Sequence, residues 1–252
     1  MARMPRIGVL GGMGPAATIL LQQRLLEAVE VTSDAGHIPL LIDMNPQVPS
    51  RIDYLIHGRG EDPGPVLAGM AQGLEAAGVD AVVMPCCTAH HFADQIVGAI
   101  RVPFLNMVEL AAQELAGHLD GDRGVGALPP TSPGIFMKKK KGLVGVLASP
   151  ATDRIGLFQR ALERHGMTAV YPEDQGAMLA AIEGIKARGP SDEDVAVVQG
   201  AMRELAEAGA GAFLVGCSEF SLISRRLRAE VPVVDALDAL TAAIRGLLPG
   251  TD

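Results

Sequence analysis

Residues 78–86 read GVDAVVMPC and residues 209–217 read GAGAFLVGC. In both, a glycine leads into an apolar run that ends on cysteine, and the glycine-to-cysteine offset is eight in each. The echo extends outward. RIGVLG (6–11) is matched by LVGVLA (143–148), each a short apolar strand followed by a small-residue loop and a helical pattern. VPFLN (102–106) is matched by VPVVD (231–235), each a strand entered through proline. A repeat on this scale constrains the fold more than any single segment, because each copy must be a supersecondary unit of the same kind.

The expected fold class is α/β, with two pseudo-symmetric lobes that each hold a small parallel sheet flanked by helices. Parallel strands need crossover connections, and the helical patterns at 65–77 and 192–208 supply them. In open parallel sheets ligands bind beyond the C-terminal ends of the strands. Cys86 and Cys217 both lie at such ends, so the active site is expected in the cleft between the lobes. Residues 1–105 with 234–252 are expected to form the first lobe, carrying Cys86, and residues 106–233 the second, carrying Cys217. Within the second, the segment 120–141 is rich in Gly and Pro and ends on the run Lys138–Lys141. It reads as a flexible, solvated insertion, with a lid over the cleft as the alternative.

A chain of 252 residues is long enough to bury a sizeable core. Three cysteines make no complete disulfide framework, and no charged start followed by an apolar stretch and a cleavage site opens the sequence. A reducing, cytoplasmic setting is therefore expected. No apolar run reaches the ~18 residues of a membrane span, so no membrane partner is expected. The net charge of -8, with two tyrosines, six phenylalanines and no tryptophan, argues against a nucleic-acid partner. Such binding needs a basic face and stacking platforms. Small-molecule chemistry is favoured instead.

The stretch MPCCTAHHF (84–92) gathers two of the three cysteines and two of the six histidines. A metal site, a redox pair and a catalytic thiol are the candidates. Metal ligation fits poorly: adjacent cysteines at a strand end point to different sides, and His90 and His91 on a helix lie about 100° apart. A vicinal disulfide is strained, and no C-x-x-C spacing accompanies it. Buried cysteines also serve simply to fill space. Packing alone, however, does not require the same residue at the same offset in both lobes, whereas a site using both thiols does. Helices starting near Thr88 and Ser218 are expected to aim backbone N–H groups at the thiols and favour a thiolate. The His pair reads as helix surface or as satisfied structural histidine.

GMGPAA (12–17) has the G-x-G-x-x-A form of a dinucleotide loop. Pro15 removes an N–H from the helix start, and Asp43 lies beyond the usual ~20-residue offset of the acidic partner. A tight strand-to-helix turn, or close approach to a small anion, fits better than a nicotinamide site. Arg51, in NPQVPSR (45–51), follows the strand expected at 38–44 and is placed to project into the crevice, with a solvated arginine as the alternative. Lys186, in IEGIK (182–186), reads by periodicity as a helix-surface lysine.

Together GVLGGMGP (8–15), MPCCTAH (84–90) and VGCSE (215–219), supported by PQVPSR (46–51) and PVVD (232–235), give the sequence a resemblance to the aspartate/glutamate racemase family. It is closer to the aspartate racemase branch than to cell-wall glutamate racemases, whose first loop carries Asp-Ser and whose second cysteine motif ends in Thr-His. The resemblance spans nearly the whole chain outside 120–141. It implies racemisation of an acidic amino acid, aspartate ahead of glutamate, with no cofactor and no metal, by a homodimer. Cys86 and Cys217 match the two catalytic bases. Inversion at one carbon needs an acid and a base on opposite sides, and a matched pair serves both directions. Met13, Cys87, Thr88, Thr152 and Ser218 match substrate-binding positions, and Arg51 and Lys186 match positions that meet the distal carboxylate. Cys87 departs from the pattern, standing where the family has Asn, so a weak S–H donor replaces an amide that both donates and accepts. The alternatives are a cysteine-dependent isomerase or decarboxylase of the same superfamily and a catalytically impaired amino-acid-binding protein.

Overall fold

The structure is a computed structural model that describes residues 3–119 and 142–249. The segment 120–141, expected as an insertion or lid, lies outside the described residues. Two four-stranded sheets carry the fold. The first orders its strands β2-β1-β3-β4, with β1 Ile7–Gly11, β2 Leu40–Met44, β3 Ala81–Val83 and β4 Phe104–Leu105. The second orders them β6-β5-β7-β8, with β5 Leu143–Leu147, β6 Thr168–Val170, β7 Ala212–Val215 and β8 Val233–Asp235. Every pairing is parallel, from Ile7 against Leu40 and Ala81 in one sheet to Val144 against Ala169 and Ala212 in the other. The expected α/β fold with two parallel sheets is the observed one, and the same strand permutation occurs twice.

Why these segments become strands follows from their composition. All of β1 (IGVLG) and all of β7 (AFLV) are buried, as expected for central parallel strands covered on both faces, which read as unbroken apolar runs. The crossovers are helices with identifiable starts. Pro63–Ala76 begins on proline, and the Asp62 carboxylate accepts the Gly64 N–H at 2.8 Å. Asp192–Glu207 begins with a capping box between Ser191 and Asp194, and Arg188 holds Asp194 through two 3.0 Å bonds. Those contacts keep the Asp194 carboxyl below its ordinary pKa against the opposing effect of burial.

The chain divides into two compact units, Met1–Leu110 with Ala236–Asp252, and Ala111–Asp235. Each has its own core. The first packs Leu10, Leu67, Met84 and Phe92 around Cys86, and the second packs Leu147, Val198, Phe213 and Phe220 around Cys217. In the first unit the helix Ala236–Arg245 lies against the helix Pro15–Ala28. Arg24, almost fully buried on one, meets Asp238 of the other at 2.9 Å. Among the described residues no helix is long and apolar enough to cross a membrane.

Candidate active site

Beyond β3, Met84 and Pro85 carry the chain to Cys86, which is 8% exposed and donates its N–H to the Met84 carbonyl at 2.9 Å. A helix starts at Thr88 as expected, but its first turn is not α-helical. Thr88–Phe92 winds as a 3-10 turn, in which the His90 N–H bonds the Cys87 carbonyl at 3.0 Å, and the α-helix Ala93–Ala99 follows. The His90 and Ala93 N–H groups are thus spent on the turn itself. Cys87 is buried and Thr88 half-buried.

His90 is buried at 3% exposure, and its ring nitrogens define its state. The Met107 N–H donates to Nε2 at 3.1 Å, so that nitrogen carries the lone pair. Nδ1 therefore bears the hydrogen and donates it to the Cys86 carbonyl at 2.9 Å. Burial lowers the pKa of the ring from 6.5 to about 4, outweighing the Cys86 carbonyl, which acts in the opposite direction. The ring also lies against Phe104, with centroids 5.4 Å apart. Of the two sequence alternatives for this residue, the satisfied structural histidine is the one realised. With both nitrogens engaged, it is not a metal ligand.

In the second unit β7 passes through Gly216 to Cys217, which is 6% exposed. A Cβ on Gly216 would lie 2.5 Å from the Phe158 ring, so only glycine lets the strand end pack this closely. The Cys217 thiol donates to Glu219 Oε2 at 3.1 Å. Lys186, on the helix Gln175–Arg188, puts Nζ 3.6 Å from the other oxygen of the same carboxylate. Ser218 is buried, and its Oγ finds no hydrogen-bond partner among the described residues. Four residues after the cysteine, the Ser221 hydroxyl donates to Asp235 Oδ1 at 2.7 Å and lies 3.5 Å from the Cys217 carbonyl.

The family model for Asp/Glu/hydantoin racemases matches residues 10–244, a span that takes in both cysteine turns and, apart from the first residues of β1, both sheets. The chain belongs to the Asp/Glu/hydantoin racemase family. It is an isomerase of the racemase class. This racemase is 23% identical over 235 residues to the broad specificity amino-acid racemase RacX of Bacillus subtilis (strain 168), covering 91% of this chain and 92% of that protein. It is 28% identical over 242 residues to a glutamate racemase of Deinococcus radiodurans, covering 94% and 71%. Among solved structures it is similar to the aspartate racemase of Picrophilus torridus, with a TM-score of 0.77, 24% identity, and 96% and 94% of the two chains covered.

The remaining sequence-derived candidates of the racemase fall on loops and helix starts. Met13 is 4% exposed in the β1-to-helix loop and belongs to the same core as Cys86. Beside it Gly12 has φ +94, and a Cβ there would lie 2.4 Å from the Asn45 backbone, so the glycine-rich loop is a tight turn packed on the end of β2. Arg51 opens the helix Arg51–Leu55, and its Nη1 donates to the carbonyls of Val48 at 2.9 Å and Pro49 at 2.8 Å. It clasps its own loop. Thr152 is fully buried in the helix Pro150–Arg154, with Oγ1 donating to the Ser149 carbonyl at 2.7 Å. The structure thus brings Cys217, Ser218 and Lys186 together in one unit and Cys86, Cys87 and Thr88 in the other. Sequence reasoning missed Glu219, although it stands inside the VGCSE motif. The signal was a carboxylate two residues after a thiol, in a turn that folds the two onto each other.

Proposed function

We propose that this racemase inverts an acidic amino acid, aspartate ahead of glutamate, by proton transfer at Cα between two cysteines, without pyridoxal phosphate or metal. One observation carries the proposal. Cys86 and Cys217 leave equivalent strands of two identically ordered sheets, β3 beside β1 and β7 beside β5. Two bases of one kind, each delivered by the same architecture, suit a reaction that must run equally well from either face.

In the forward direction one cysteine thiolate takes the Cα proton, and the electron pair left on carbon is held by delocalisation into the α-carboxylate. The other cysteine then delivers its thiol proton to the opposite face, leaving the two cysteines with exchanged protonation states. Glu219 gives Cys217 a hydrogen-bond acceptor at 3.1 Å, and Lys186 Nζ lies 3.6 Å from the other oxygen of that carboxylate. Ser218 Oγ, buried and with no partner among the described residues, is suited to bond the substrate beside the thiol. Arg51 and Lys186 are assigned to the distal carboxylate, where a guanidinium offers paired donors. Lys186 then serves both Glu219 and the substrate.

Incubation with L- and D-aspartate and L- and D-glutamate in D2O tests the assignment. Deuterium should enter Cα of at least one acidic pair, both enantiomers should converge on a racemate, and Cys86→Ala and Cys217→Ala should each abolish inversion. Racemisation by either alanine variant at the parent rate would defeat the two-thiol mechanism.

A further inference from the structure

The residue four positions after each cysteine links the cysteine's peptide to the neighbouring strand in both units, His90 through its side chain alone and Ser221 through its backbone N–H on one side and its hydroxyl on the other. In the first, His90 donates Nδ1–H to the Cys86 carbonyl at 2.9 Å and accepts the Met107 N–H at 3.1 Å, directly beyond the end of β4, the neighbour of β3. In the second, the N–H of Ser221 donates to the Cys217 carbonyl at 3.1 Å, and its hydroxyl donates to Asp235 at 2.7 Å, the last residue of β8, the neighbour of β7. Histidine and serine share neither volume nor hydropathy. Packing alone gives no reason for both to tie the cysteine peptide to the end of the adjacent strand.

We infer that His90 and Ser221 are positioning residues that fix where the Cys86 and Cys217 thiols point, each acting through the peptide that follows its cysteine. Holding that carbonyl fixes ψ of the cysteine and hence the direction of its Cα–Cβ bond, which leaves the side-chain torsion as the main freedom of the sulfur. A proton transfer is sensitive to this, since a misplacement on the order of 1 Å costs ~100-fold in rate. His90 is suited to the task because it bridges an acceptor and a donor at once. The Met107 N–H is one of the donors that a helix start leaves without an intrahelical partner, and the imidazole supplies the acceptor inside the core. Neither substitute reproduces both bonds: Asn mimics the Nδ1 side of the ring, and Gln the Nε2 side. Ser221, 3% exposed, makes the corresponding link in a shorter span.

This inference rests on the two-thiol racemase assignment, and the test separates the two. The variants are His90→Asn, His90→Gln and Ser221→Ala, with Ser221→Thr as the conservative rescue that keeps the hydroxyl. KM should stay near the parent value while kcat falls roughly 10- to 100-fold. With Cα-deuterated L and D substrate, the His90 variants should raise the primary isotope effect for one enantiomer only, and Ser221→Ala for the other. In parallel, iodoacetamide alkylation with peptide-level mass analysis should change in rate at Cys86 alone in the His90 variants and at Cys217 alone in Ser221→Ala. Equal changes for both enantiomers and both thiols, or no change at either, would overturn the inference. Should the His90 variants fail to fold, Ser221→Ala and Ser221→Thr still decide it, through the Cys217 alkylation rate. If the parent protein exchanges no Cα hydrogen of either acidic amino acid, the racemase assignment fails, and the alkylation rates still decide whether the two residues aim the thiols.

Discussion

Acidification should destabilise the unit that carries Cys86 through one buried ring. His90 titrates at about 4 in the folded protein against 6.5 in the reference state. Because the folded pKa is depressed, the unfolded chain binds the proton more readily. The neutral ring therefore contributes its full stabilisation above ~6.5, and that contribution is lost as pH falls toward about 4. At ~1.4 kcal/mol per pH unit the window is worth roughly 3 kcal/mol, most of which is gone between about pH 7.5 and about pH 4.5. The cause is burial of the ring, and a protonated Nε2 would in addition set a donor against the Met107 N–H, which needs an acceptor. Urea unfolding across this range, in the parent and in His90→Gln, reads the difference. The chain has two tyrosines and no tryptophan, and Tyr54 lies in the Cys86 unit, so a Tyr171→Phe background leaves one emitter reporting on that unit. The parent should lose roughly 2–3 kcal/mol more than His90→Gln between the two pH limits. Parallel loss in the two proteins would refute the reasoning, since the carboxylates that also titrate are common to both.

Glu219→Gln removes the acceptor of the Cys217 thiol proton and should lower kcat by about 100-fold, the lower range for a lost proton-transfer partner, with KM little changed; a kcat within about twofold of the parent would remove Glu219 from the mechanism. Cys87→Ser should remain active and Cys87→Asn should retain or raise turnover of acidic substrates; complete loss in Cys87→Ser, with folding and substrate binding intact, would make Cys87 a proton carrier. Arg51→Leu should weaken aspartate binding far more than binding of any neutral amino acid, as measured by calorimetry, and equal losses would defeat its assignment. Gly216→Ala forces a Cβ to within 2.5 Å of a fully buried ring and should cost about 1–3 kcal/mol in urea unfolding; a change under ~0.5 kcal/mol would show that Phe158 yields.

The strands were legible because both central runs, 7–11 and 212–215, are apolar throughout, which is what a parallel strand covered on both faces demands. β6 was not, because Thr168–Val170 is only three residues long at a sheet edge and none of it is buried. A helix start near Thr88 was legible but its 3-10 character was not, since a turn of five residues is too short to show its own periodicity. His90 could be recognised as a satisfied histidine, but its task could not, because its second partner lies 17 residues away, across β4. Glu219 had the opposite difficulty. Its partner is two residues away, and only the backbone bend after Cys217 decides whether such neighbours meet or diverge.

The helix Ala236–Arg245 follows the second unit in the chain but completes the first, where Leu237, Leu240 and Ile244 are fully buried. A ribosome therefore finishes residues 111–235 while the unit carrying Cys86 still lacks a helix that covers it, and Arg24 waits for Asp238 until the second unit has been made. Synthesis order and structural order run in opposite senses: the unit begun first is closed last. Moving residues 236–245 to the front of the chain by circular permutation would reverse that sequence, making the order in which the two units mature an adjustable property of this fold.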